Sequence, residues 1–210
     1  MIQLSKLPKE EKYNVISHGV GVLLAIFGLF VLLIANTNKT SFSVFGILLY
    51  GSSMIGLFTA STIYHIVPWS PLKERLRILD HISIYFLIAG TYSPVTLILL
   101  YQGSGWVLFW VVWGIAAVGT ILKLFFTGRF EFISLVLYAF MGWLIMFDLD
   151  SLRLVTSENG LQLLFLGGLF YTVGIIFYAV RKIPYNHFIW HLFVLVGAFC
   201  HWLFIFMDVV

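Results

Sequence analysis

The sequence predicts an all-α integral membrane protein, a bundle of seven transmembrane helices with its N-terminus cytoplasmic and its C-terminus outside. Three observations predict it. The 210 residues are 61% hydrophobic and only 10% charged, with a mean hydropathy of +1.02, against roughly 25% charged in an ordinary soluble domain. A domain of this size exposes much of its side-chain surface, so the solvent for most of this chain is lipid. Polar and turn-forming clusters divide the chain into apolar stretches near the ~20 residues that cross a bilayer. Lys and Arg, finally, are distributed very unevenly between alternate connections.

The predicted spans cover 14–35, 41–67, 78–100, 104–126, 131–147, 160–181 and 186–208, within one membrane domain over 1–210. The breaks between them are Asn36-Thr37-Asn38-Lys39, the stretch from Pro68 to Arg77, Tyr101-Gln102-Gly103, Thr127-Gly128-Arg129, the stretch from Asp148 to Asn159, and the turn from Arg181 to Tyr185. The fifth span is the shortest. The first resembles a signal peptide in its preceding lysines, but the apolar run from Val15 to Ala35 exceeds a secretory h-region and no small-residue cleavage site follows. It is expected as a retained helix. Pro94 is expected to kink the third span, with Thr91, Ser93 and Thr96 satisfying freed carbonyls or lining a cavity. Asp148, Asp150 and Glu158 are expected in a solvated outer loop. Cys200 is the one cysteine, so no internal disulfide forms.

Ten of the twelve basic residues fall on one side: Lys6, Lys9, Lys12, Lys73, Arg75, Arg77, Lys123, Arg129, Arg181 and Lys182. Lys39 and Arg153 fall on the other. By the positive-inside rule the N-terminus is cytoplasmic, with Lys73 and Arg181 exposed there and Arg153 exposed outside. Charges this few and scattered do not build a nucleic-acid surface. Trp69, Arg75 and Arg77 suit anchoring to anionic lipid.

Ionisable groups at membrane depth are costly and tend to be functional. Five of the six histidines, His18, His65, His81, His187 and His191, fall in the inner-leaflet layer although far apart in sequence. His187-Phe-Ile-Trp-His191 sets two imidazoles one helical turn apart on one face, a spacing that suits two ligands of one zinc ion but is a weak signal alone. Ser61-Thr-Ile-Tyr-His65 brings a third imidazole to the same depth, with Ser61 one turn deeper, and Asp80 adds a carboxylate. Three neutral imidazoles around Zn²⁺ leave a fourth position open, as catalytic rather than structural sites do. Asp80 would then take a proton from water or hold it in place.

Ser61-x-x-x-His65, Leu79-Asp80 and His187-x-x-x-His191 resemble the signature of the progestin and adipoQ receptor family, whose wider superfamily is similar to the alkaline ceramidases. The short chain and the Asn14-x-x-Ser17-His18-Gly19 opening resemble its bacterial branch, the hemolysin III proteins. The resemblance spans essentially the whole chain. It implies a seven-helix fold with zinc on the cytoplasmic side, ligands His65, His187 and His191, and Asp80 and Ser61 beside them.

Blander readings stand next to these. His18 and His81 are expected at headgroup level, hydrated. His201 lies fourteen residues after His187, roughly 40° away around an ideal helix, and is expected to hydrogen-bond a neighbouring helix. Asp80 could pair with Arg77 or cap the third span, and Ser61 could bond its own backbone. Three function classes follow: a zinc-dependent hydrolase cutting a lipid amide or ester, a receptor-like or regulatory protein with structural zinc, and a pore-forming hemolysin. The favoured expectation is a zinc-binding plasma-membrane protein of lipid homeostasis, with membrane lipids as its partners. No run of charged residues lines a path across the membrane to support the pore.

Overall fold

The computed structural model describes residues 4–127 and 130–210; Gly128 and Arg129, the latter among the basic residues above, lie outside them. The order is α1 Lys9–Ala35, α2 Ser43–Ile66, α3 Pro71–Pro94, α4 Gly105–Phe126, α5 Glu131–Gly142, α6 Leu149–Val155, α7 Glu158–Ala179 and α8 Asn186–Phe204. A wide π turn over Val95–Leu99 extends α3, another over Ile205–Val209 extends α8, and a tight turn over Leu144–Asp148 joins α5 to α6. Among the described residues seven helical spans are therefore long and apolar enough to cross a membrane, the fifth being Glu131–Val155.

Several boundaries differ from expectation for local reasons. Helix α1 starts five residues early and carries Glu10 and Glu11 in its first turn, where carboxylates complement the helix dipole. Helix α3 starts seven residues early: the Ser70 side chain accepts from the Lys73 N–H at 3.3 Å and Pro71 occupies the first turn, where its missing N–H costs nothing. The expected outer loop from Asp148 is in part the helix α6, and Asp148 accepts a hydrogen bond from Ser104 Oγ. Asp150 remains in water.

Pro94 ends the regular part of α3, and the hydroxyls around it take up carbonyls as expected. Thr91 donates to Leu87 O at 2.8 Å, Ser93 to Ala89 O at 2.9 Å and Thr96 to Tyr92 O at 2.9 Å.

Helix α3 is the axis of the bundle: 78% of its apolar stretch is buried, against 17–44% for the other spans. It packs on α2 and α4, α1 lies against α2 and α8, and α7 pairs with α8. Lipid offers no hydrophobic drive to helix association, so close packing carries it. A Cβ at Gly28 would stand 2.7 Å from Trp202 Nε1, and its absence lets that indole donate to Gly28 O at 3.1 Å. Helix α8 opens after Tyr185, held in the left-handed region at φ 55°, while Asn186 Nδ2 reaches back to Phe177 O at 2.9 Å.

Candidate metal centre

The packing of α1, α2 and α8 brings His65, His187 and His191 together with one ligand atom of each within 4.8 Å of the others. They are the group of this kind found among the described residues, and they are the three histidines singled out from the sequence. His65 Nε2 and His187 Nε2 stand 3.2 Å apart. Tetrahedral zinc with Zn–N bonds of 2.0–2.1 Å holds its ligand nitrogens ~3.3 Å apart, so the pair has the right separation for a shared ion. Glu11 Oε2 lies 2.5 Å from His65 Nδ1, and Ser17 Oγ lies 3.3 Å from His191 Nδ1. Both hold their rings by Nδ1, and for His65 this leaves Nε2 facing His187, as hydrogen-bonded neighbours of metal-binding histidines do. The donor set fits a divalent metal ion.

Helix α1 supplies most of the surrounding shell. Glu11, Asn14, Ser17 and His18 recur at three- and four-residue intervals and so share one face. Asn14 Nδ2 approaches His65 Nδ1 at 3.4 Å, and Glu10 Oε1 accepts the backbone N–H of His187 at 3.2 Å. Lys73 Nζ donates to the second Glu11 oxygen at 3.2 Å and to Val67 O at 3.0 Å. Lys73, expected as an exposed loop charge, is buried instead, because its ammonium has a carboxylate and a carbonyl to satisfy it and the Tyr64 ring beneath it.

Asp80 and Ser61 are both buried, and Ser61 sets its hydroxyl against the Asp80 carboxylate. They line one cavity of about 330 Å³ with His18, His187 and His191. Arg77 pairs with Glu74 at 3.4 Å. The cavity shares Leu57, Ile84, Trp190 and Val194 with a larger apolar cleft of about 950 Å³, counted to its mouth, running between α2, α3, α5, α7 and α8.

Two expectations are corrected here. His18 is not at a hydrated headgroup level: it is 3% exposed and stacks on His191 with ring centres 3.6 Å apart. His81 is likewise buried, with Tyr178 OH 3.4 Å from its Nε2 and Glu131 Oε2 3.8 Å from its Nδ1. Hydropathy sets the depth of a side chain but not its azimuth, and both rings turn inward. His201 behaves as expected, with Nε2 3.1 Å from Leu164 O on α7. Glu11 escaped the sequence reading, although its spacing from Asn14 and His18 signals a common face.

Seven apolar helices around a buried three-histidine cluster define a multi-pass membrane protein with a candidate metal centre near one end of its bundle. The family model described as "Haemolysin-III related" matches residues 7–202. Hemolysin-3 of Bacillus cereus is 42% identical over 199 residues, 94% of this chain and 91% of its own. The hemolysin-3 homolog of Bacillus subtilis (strain 168) is 42% identical over 191 residues, 90% of each chain. Monocyte to macrophage differentiation factor of Homo sapiens is 34% identical over 165 residues, 73% of this chain and 66% of its own. The chain belongs to the haemolysin III family, the bacterial branch of the progestin and adipoQ receptor family.

Proposed function

We propose that this is a zinc-binding protein of membrane lipid homeostasis that hydrolyses an amide or ester bond in a lipid. One observation carries the reading. A buried carboxylate and hydroxyl, Asp80 and Ser61, share a cavity with His187 and His191, and that cavity abuts a cleft whose mostly apolar lining suits an acyl chain. His65, His187 and His191 would hold the ion. When bound, zinc supplies Lewis acidity toward a carbonyl and lowers the pKa of its water to ~7.

The chain's own groups do the rest. Asp80 accepts the proton as the water oxygen joins the acyl carbon, and returns it to the amine or alcohol as the C–N or C–O bond breaks. Ser61 orients that carboxylate. The cleft shelters the acyl chain and keeps bulk water from the reacting bond. The charge distribution supports a cytoplasmic position for this end of the bundle in the plasma membrane.

A second reading, a receptor-like or regulatory protein with zinc as a clasp, draws on the ligands' placement: they join α2 to α8, remote in sequence. The relatives' name suggests a third, a pore, but the cleft between α2, α3, α5, α7 and α8 is lined mostly by apolar side chains. Reconstituted protein is incubated with labelled ceramides and phospholipids, and fatty acid release is measured beside zinc content. The hydrolase reading expects release from wild type, a loss of ~10²–10⁴-fold with zinc retained in Asp80→Asn, and loss of both in His65→Ala. No release from wild type across the panel sinks the hydrolase. Undiminished release from Asp80→Asn removes that carboxylate's role.

A further inference from the structure

The site contains a fourth imidazole whose chemistry is unassigned. His18 is 3% exposed and lines the cavity that Ser61, Asp80, His187 and His191 also line. Its ring approaches the backbone of His191 closely enough for a weak hydrogen-bonding interaction, but neither ring nitrogen has a partner of normal hydrogen-bond geometry among the described residues. A buried donor left without an acceptor is costly, and a position that had only to fill space beside Phe58 would be better served by an apolar ring. The three ligand histidines differ in this respect, since Glu11, Ser17 and the facing imidazole engage theirs.

His18 is also poorly placed to be a fourth ligand. Its ring is parallel to that of His191 within 9°, with centres 3.6 Å apart. Imidazole lone pairs lie in the ring plane, so those of two stacked rings run side by side and do not converge on one ion. Phe58 packs against the same ring in a T-shaped contact, with centres 5.1 Å apart. What remains open to it is an acceptor brought by a ligand: a neutral imidazole N–H donates to a carbonyl, carboxylate or developing oxyanion.

We propose that His18 is a substrate-binding residue that binds no metal and donates a hydrogen bond to the acyl oxygen of a lipid seated beside Asp80 and Ser61. The proposal rests on the lipid reading above. Its stacking on His191 gives it a fixed position, so the donor is in place before the lipid arrives.

The test uses oleate as the probe, titrated calorimetrically into detergent-solubilised, zinc-loaded full-length protein, with zinc content measured on the same samples. His18→Phe keeps the stack and removes the donor; His18→Gln keeps an N–H donor. We expect full zinc in both, an oleate Kd raised about tenfold or more in His18→Phe, and most of the affinity retained in His18→Gln. Loss of zinc in both variants, as for a ligand histidine, would overturn the proposal in favour of coordination. Unchanged oleate affinity in His18→Phe would reduce His18 to packing and overturn it too. Wild-type protein that holds zinc but binds no oleate would remove the lipid reading itself, and this proposal with it.

Discussion

Glu11 is bound on both sides, one oxygen to His65 Nδ1 and the other to the buried Lys73 ammonium. A carboxylate so placed fixes the ring of a metal ligand and raises its basicity. Glu11→Gln keeps the shape and removes the charge, and we expect it to weaken zinc binding ~10–100-fold, read by competition with a chromophoric chelator. An affinity equal to wild type would show that Glu11 serves only Lys73. The grouping of His65, His187 and His191 was legible because a one-turn repeat and a matching depth are properties of the sequence itself. Glu11 and His18 were not, because their roles depend on which way α1 is rotated against α2 and α8, and an apolar helix in lipid carries little amphipathic signal of its rotation.

At the scale of the helix, hydropathy locates what faces lipid and misses what extends beyond it. The early starts of α1 and α3 lie in polar sequence, and the Ser70-Pro71 cap was the readable sign of the second. Pro94 marked the irregular turn that follows it, whereas the π turn after Phe204 left no sign in composition. The seam between α7 and α8 includes Gly174, where a Cβ would stand 2.8 Å from Trp190 Cε3 and 2.9 Å from Phe193 Cβ. Trp190 in turn lines both the histidine cavity and the apolar cleft. Gly174→Leu overpacks this seam, and we expect a loss of ~1–3 kcal/mol, measured as a lower thermal unfolding midpoint in detergent. An unchanged midpoint would show that the seam yields without strain.

For the whole molecule, the span count follows from composition because lipid tolerates few alternatives to the helix. The sidedness is a separate question, on which only the charge distribution bears. Cysteines placed at Arg75 and Arg181, both exposed, should label from the cytoplasmic side in a Cys200→Ser background, and one at Arg153 from outside. External labelling at 75 would invert the bundle and move the histidine centre to the outer face. The buried Lys73 is the wrong site for this experiment, which its sequence position alone did not reveal.

Gly142 and Thr172 line the apolar cleft and are themselves exposed, so on the lipid-hydrolase reading the cleft has a window between α5 and α7 through which a fatty chain would enter. A lipid entering by that window never passes through water. Its supply is then two-dimensional, set by how crowded the bilayer is with it and not by how much is suspended in the tube. At fixed amounts of protein and substrate, adding inert phospholipid to the same vesicles should slow turnover in proportion to the fall in substrate mole fraction. Diluting the whole suspension with buffer should leave the rate per protein unchanged. A rate that follows bulk concentration instead would mean that the substrate arrives from the aqueous side, past Glu11 and Lys73.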